Sequence, residues 1–489
     1  MKLKVKEVGL SAGGVFVAVL NELDAQVLDL RPGDRVSIKR LKLNKEVICV
    51  VNISSKGVKK GEIGFFEEAF DKIKLKKGSS VEVDIADKPR SLDYIKRKLE
   101  GGDLTWCEMN ELVKDIVHDE FSDVELTYFI SGCYTQGLNL KEAAALTDAI
   151  VKNGETLKLK SRIILDKHCI GGVPGNRTTM VVVPIIAALG YKIAKTSSRS
   201  ITSPSGTADT MEVLAPVNLS VKKVKKVIKK TNGCIVWGGG VNLAAADDKL
   251  IKIRHPLSID PTGMLLASIM AKKKAVGATH ILIDIPWGRG SKIRHKRDAL
   301  KLRKMFVKIA KMLKVKVRVV LTDGTQPVGN GIGPALEARD VISVLKGEGP
   351  VDFREKSIFL ASELLKMVGV FNAKKKVVEV LDSGKAYEKF RAIIVEQGGR
   401  KRPLIPMAKL LYEYKATKNG IIKEVHNKEL AKVARFSGSP EDKESGIYLR
   451  FKKGNIVKKG NILFTIYAKN KTKLETAIKY LRTIKPIIY

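Results

Sequence analysis

The sequence predicts a multidomain α/β protein: a small N-terminal β-rich domain, a helical domain, a large α/β domain with a mostly parallel sheet, and a C-terminal α+β portion. Three observations predict this. Apolar, β-branched runs at 161–166, 191–196, 234–237, 280–285 and 316–321 each precede a glycine or serine turn, with helical patterns between them. Residues 1–86 alternate apolar and polar positions. Residues 87–156 carry helical spacing and capping signals. The expected domains are therefore 1–86, 87–156 (joined by about 242–275, where strand signals are few), 157–345 and 346–489.

In the first segment the alternation runs through Leu3 and Val5, then Val15, Val17 and Val19, then Val36 and Ile38, then Val47, Cys49 and Val51. Arg31 to Val36 (RPGDRV) reads as a turn into a strand, and Val81 to Ala86 as the last strand of a barrel. DKPRS, Asp87 to Ser91, is the linker. In the helical segment Thr105 with Glu108, Ser122 with Glu125, and Asn139 with Glu142 have capping-box spacing. Trp106, Met109, Leu112, Ile116 and Val117 form a stripe read as core.

Composition narrows the function. The 489 residues are 44% hydrophobic, enough for a globular core. Lys and Arg number 90 against 52 acids, for a net charge of +38. Aromatics are only 6% and do not interleave with the basic runs, so the charge reads as a solvated, anion-attracting surface and no specific nucleic-acid partner is expected. Five cysteines without a CxxC argue against a zinc site or disulfide framework and fit a reducing cytoplasm. No signal peptide is read in the N-terminal residues, and no apolar run approaches the ~20 residues of a membrane span. His118, His255, His280, His295 and His426 lack metal-ligand spacing, and no metal or organic cofactor is expected.

The most informative stretch is DKHCIGGVPGNRTT, Asp166 to Thr179. A strand ends, Gly171, Gly172 and Gly175 open a turn, and a helix follows. That order aims backbone N–H groups at an anion. Lys167, His168, Arg177, Thr178 and Thr179 add donors. The loop is neither GxGxxG nor GxxxxGK[ST]. A second loop, KTSSRSITSPSGTADTME from Lys195 to Glu212, also follows a strand and enters a helix near Ala208. Its hydroxyls and Arg199 suit a second anionic group. Two such loops at strand C-termini suggest one crevice for a phosphorylated ligand.

These motifs, with CIVWGGGVNLAAADDKLIKIRHPLSIDPTGMLLASIMAKKKAVGATHILIDIPWG and QPVGNGIGPALEARD, resemble the thymidine phosphorylase family. Within it, the forms GGVPGN, SSRSITSPSGTADTMEVL and SIDPTG most resemble the AMP phosphorylases of archaea, as does the extra N-terminal segment. The resemblance implies a pentosyltransferase that cleaves AMP, and also CMP and UMP, with inorganic phosphate as co-substrate, in a homodimer or larger homo-oligomer. It assigns Lys167, Cys169, Thr179 and Ser197 to inorganic phosphate. It assigns Gly172, Ser198, Arg199, Ser200, Ile201, Thr202, Ser203, Thr207, Ser268 and Lys292 to the nucleotide, with Arg199 the natural partner of the 5′-phosphate. Cys169 stands where the wider family usually has Ser, and a thiol is a poor donor. Asp260 matches the proton donor to the leaving base, although before Pro261 its own chemistry reads as a helix N-cap. His168, titrating near neutrality, is the rival acid. Arg254 and Lys272 match base-holding positions. A nucleoside phosphorylase acting on thymidine or uridine, anthranilate phosphoribosyltransferase, which shares the fold, and an RNA-binding protein on this fold remain alternatives.

Overall fold

The computed structural model describes every residue except 14–15, 41–44, 201–202, 242 and 258. The chain divides into two compact units, Met1–Asn153 with Ala245–Ala267, and Gly154–Ala244 with Ser268–Tyr489.

The first unit opens with a closed barrel of β1 (Lys2–Glu7), β2 (Val17–Asn21), β3 (Arg35–Arg40), β4 (Lys45–Ser54), β5 (Glu62–Phe65) and β6 (Ser80–Ile85), in the order β1-β5-β2-β4-β3-β6. Closure leaves no unpaired strand edge. Leu3, Val5, Val36, Ile38, Cys49, Val51, Val81 and Val83 fill it as the alternation predicts. In β2 the inward pair is Ala18 and Leu20, not Val17 and Val19. All five β2 residues are buried, so alternation could not choose the face. Val15 lies outside the described residues.

Helices Trp106–Val117, Asp123–Thr135 and Leu140–Lys152 each begin in a complete capping box, on Thr105/Glu108, Ser122/Glu125 and Asn139/Glu142. The buried stripe of the first is Met109, Leu112, Val113 and Ile116. Trp106 is instead 40% exposed, because it sits at the helix's first position and its indole N–H reaches Asp148. Val117 is half-buried. The barrel is tied to these helices by Arg35, which donates to Glu125 at 2.6 Å. Helix Ala245–Arg254 joins them through Lys249, which donates to the Ile116 carbonyl at 2.8 Å.

The second unit holds a five-stranded parallel sheet of β7 (Ile164–Cys169), β8 (Lys192–Ser197), β9 (Gly233–Trp237), β10 (His280–Trp287) and β11 (Lys316–Asp323), ordered β11-β10-β7-β8-β9. Each strand falls on a predicted run. Helix Thr178–Ala188 is apolar and buried along nearly its whole length, as expected for a helix enclosed by sheet and helices.

The expected boundary after residue 345 is crossed by packing. Helices Val351–Lys366, Ala373–Asp382 and Lys385–Gln397 contribute Phe353, Leu360, Val377, Phe390 and Ile393 to the core that covers the sheet. Their amphipathic faces are satisfied there. A separate core forms around an antiparallel sheet of strands Gly331–Ile332, Gly446–Leu449, Ile462–Ala468 and Leu410–Lys415. Among the described residues no helix is long and apolar enough to cross a membrane.

Candidate active site

The two sequence-singled loops leave the carboxyl ends of adjacent strands β7 and β8. Two glycines fix the first loop. Gly172 has φ +89°, and a Cβ there would lie 2.3 Å from the Lys292 backbone nitrogen. Only glycine fits, and the contact brings two residues assigned to the nucleotide together. Gly175 has φ +70°, and its Cβ would lie 2.3 Å from the Val328 carbonyl oxygen. The QPVGNGIG segment thus braces the loop, with Val328 N donating to Pro174 O at 3.1 Å.

Below the loop, Lys167 is fully buried. Its Nζ donates to Thr178 Oγ1 at 2.8 Å and to Thr179 Oγ1 at 3.4 Å, at the start of helix Thr178–Ala188. Thr178 donates to Asn176 Oδ1 at 3.1 Å, and Asn176 Nδ2 to Cys169 Sγ at 3.4 Å. Burial, then the Asp284 carboxylate, pushes the Cys169 thiol above its ordinary range. It is a neutral thiol and no nucleophile.

Charge is concentrated here. Lys273 pairs with buried Asp166 at 2.8 Å, and Lys356 lies 3.5 Å from buried Asp284. With Lys167 and buried Lys195, four lysine amines face two carboxylates. Burial holds Lys167 below its ordinary range, and burial with neighbouring Lys273 holds Lys195 well below. His168 is also held well below its usual value, by burial and then by Lys273, Lys195, Lys167 and Lys272. Its imidazole is therefore neutral at pH 7, against the expectation of an acid titrating near neutrality. The buried hydroxyls of Thr196 and Ser197 find no hydrogen-bond partner among the described residues. Unmet hydroxyls and buried amines near the strand C-termini have the chemistry to hold an oxyanion.

Sequence reasoning missed Asp166, Lys195, Lys273, Asp284 and Lys356 as site residues. A signal existed for Asp284: a lone carboxylate inside the apolar run HILIDIPW is costly to bury without a purpose.

The second loop corrects one expectation. Arg199 is not a free charge. Its guanidinium donates to Glu212 through NH1 at 2.7 Å and NH2 at 2.5 Å, touches Asp209 at 3.4 Å, and lies 5.1 Å over the Trp237 ring. The sequence hid this because Glu212 is brought beside Arg199 only by the turn into helix Thr207–Glu212. Asp209 also organises the loop, accepting from Ser200 N at 2.7 Å and Gly206 N at 2.8 Å. Ser198 accepts from Ala208 N through its carbonyl, and Ser200 contacts Ser203. Thr207 is half-buried at the helix start. Ile201 and Thr202 lie outside the described residues.

The remaining candidates fall on or before helix Thr262–Ala275, within which the division between the units falls. On the first unit Asp260 lies 3.4 Å from Arg254. On the second, buried Ser268 and half-buried Lys272 are four residues apart and share a helix face.

The family models that match the helical bundle and the parallel-sheet domain are both those of glycosyl transferases. Residues 92–154 match the glycosyl transferase family helical bundle domain, 161–387 its a/b domain, and 421–487 the pyrimidine nucleoside phosphorylase C-terminal domain. In fold the chain is similar to anthranilate phosphoribosyltransferase from Thermus thermophilus (TM-score 0.52, 18% identity, 62% of this chain and 99% of that one). The enzyme from Saccharomyces cerevisiae, solved with PRPP and Mg, is alike in fold too (TM-score 0.51, 16% identity, 64% and 98%). Among curated proteins the chain is 43% identical to an AMP phosphorylase of Thermococcus sibiricus, across 100% of this chain and 97% of the relative. It is 42% identical to AMP phosphorylase 1 of Archaeoglobus fulgidus, across 97% and 95%, and 43% identical to an AMP phosphorylase of Thermococcus kodakarensis, across 100% and 97%. The chain belongs to the AMP phosphorylase family.

Proposed function

We propose that this chain catalyses phosphorolysis of AMP. A phosphate oxygen bonds to C1′ of the ribose as the C1′–N9 bond breaks. Adenine leaves with a proton at N7, and the sugar leaves as ribose 1,5-bisphosphate. The supporting observation is the cluster of Lys167, Lys195, Lys273 and Lys356 with the Asp166 and Asp284 carboxylates, beside the hydroxyls of Thr196 and Ser197, which lack a hydrogen-bond partner among the described residues. Preorganised donors of this kind stabilise an attacking dianion without solvent reorganisation.

In this reading Lys167, Cys169, Thr179 and Ser197 hold inorganic phosphate. The backbone at Gly172, the Ser198–Ser203 loop, Thr207, Ser268 and Lys292 hold the nucleotide. Each hydrogen bond to its 5′-phosphate contributes about 1.5–3 kcal/mol, so a few decide AMP over adenosine. Arg199 shapes that loop from its pairing with Glu212. Asp260 donates the proton to N7 of the leaving adenine. His168, a neutral imidazole, orients phosphate or sugar by hydrogen bonding and is not the acid. Base-binding roles are proposed for Lys272 and for Arg254. CMP and UMP are proposed as further substrates, with no metal or organic cofactor in the reaction, a homodimer or larger assembly, and a cytoplasmic location that fits five free thiols.

A second reading, a nucleoside phosphorylase, is favoured by one observation: the candidate 5′-phosphate cation, Arg199, is engaged by Glu212. Phosphorus NMR of AMP incubated with protein and phosphate separates the two. The AMP reading expects a ribose carrying two phosphates, with free adenine in equal amount. Turnover of thymidine or uridine with AMP left intact would establish the rival.

A further inference from the structure

In the reading above Lys356 counts only toward the charge of the lysine cluster, and neither it nor its partner Asp284 is given a ligand contact. Lys356 projects from helix Val351–Lys366, which packs against helix Thr178–Ala188 and β10. Its side chain is only 10% exposed, and Asp284 is fully buried. At 3.5 Å the pair is too long for a good hydrogen bond, and Lys356 Nζ and Asp284 Oδ2 both lack a hydrogen-bond partner among the described residues. Asp284 Oδ1 is satisfied by Thr322 Oγ1 at 2.6 Å. Three ammonium donors are thus almost out of water and face one poorly placed acceptor, a costly arrangement unless another oxygen completes it.

The location says which oxygen. Asp284 sits directly across from Cys169 in the β10–β7 register, and its carbonyl accepts from Ile170 N at 3.0 Å. Cys169 and Lys167 share one face of β7, two residues apart. The charge of Lys356 acts on both of them. The ammonium therefore lies at the floor of the first loop, beside a thiol that is a weak donor.

We propose that Lys356 is a further phosphate-binding residue, presenting its ammonium to inorganic phosphate beside Cys169. The inference rests on the assignment of the first loop to inorganic phosphate. It does not depend on which nucleotide is cleaved.

The test is thermal unfolding with and without inorganic phosphate, against chloride at matched ionic strength, followed by initial-rate kinetics. Lys356→Met removes the donor, Lys356→Arg keeps the charge, and the double variant Asp284→Asn/Lys356→Met removes both charges, so that no carboxylate is stranded. The wild-type protein is expected to gain a phosphate-specific rise in Tm. Lys356→Met and the double variant should lose it, and Lys356→Arg should recover most of it. The KM for phosphate should rise roughly ten- to hundredfold in Lys356→Met, while the KM for AMP moves less than about twofold. Retention of the Tm rise by either Met variant, a phosphate KM within about twofold of wild type, or no rise in the wild type overturns the inference. A Lys356-dependent rise without AMP turnover supports it and removes the phosphorylase reading.

Discussion

At the residue scale the site is governed by what burial does to cations. Lys195 and His168 are both held well below their ordinary pKa values, by burial first and by neighbouring lysines after it. A bound dianion favours their protonated forms and raises both values. Phosphate binding is therefore expected to take up protons, and its affinity to rise as pH falls through the range in which these groups titrate. Calorimetry of phosphate binding at pH 8, in buffers of different ionisation heat, should register net uptake. Net release would contradict the placement of phosphate among these groups. Arg199 and Glu212 belong to the same scale. Arg199, then Lys443, holds the Glu212 carboxyl at about 2. Both side chains are about one-third exposed, so the pair's coupling is modest. A double-mutant cycle of Arg199→Ala and Glu212→Gln in urea should give a coupling of about 0.5–1 kcal/mol, and strict additivity would deny the pair. Asp260→Asn should lower kcat far more than it raises the KM for AMP, and an unchanged kcat would remove Asp260 as the acid.

At the scale of elements, local chemistry decided what was legible. The three capping boxes could be read because donor and acceptor lie three residues apart. Replacing Thr105, Ser122 or Asn139 by Ala should each lower stability by about 0.5–2 kcal/mol in denaturant titrations. A loss below the error of the fit would mean the caps do not hold those helices. The five parallel strands were legible because each carries a short apolar stretch ahead of a turn, as Ile164–Leu165 in β7 and Ile193–Ala194 in β8. Other features depend on distant partners. The inward face of β2 follows from which neighbours cover it, and β5 is a four-residue strand with no run of its own. Helices between 351 and 397 look like any amphipathic helices until the sheet they cover is known. The loop glycines were legible as an anion motif, yet the reason for Gly172 lies 120 residues on, in the backbone of Lys292. Gly172→Ala must push that contact open. It should raise the KM for AMP more than tenfold, with a smaller effect on the KM for phosphate; equal effects on the two would place Gly172 elsewhere in the mechanism.

At the scale of the whole molecule the sequence carries a net charge of +38, and its substrates under this account are both anions. A field of that sign accelerates capture of phosphorylated ligands and is screened over about 10 Å at 0.1 M salt. The central claim is that one crevice accepts two phosphate groups, one attacking C1′ and one carried on the ribose. The measurement that tests it most directly is kcat/KM for AMP and for adenosine, with phosphate saturating, read as adenine released. The account predicts that AMP exceeds adenosine by at least about a hundredfold, the equivalent of two charged hydrogen bonds at the lower end of their usual strength. Equal values for the two, or adenine release from AMP that does not require phosphate, would contradict it.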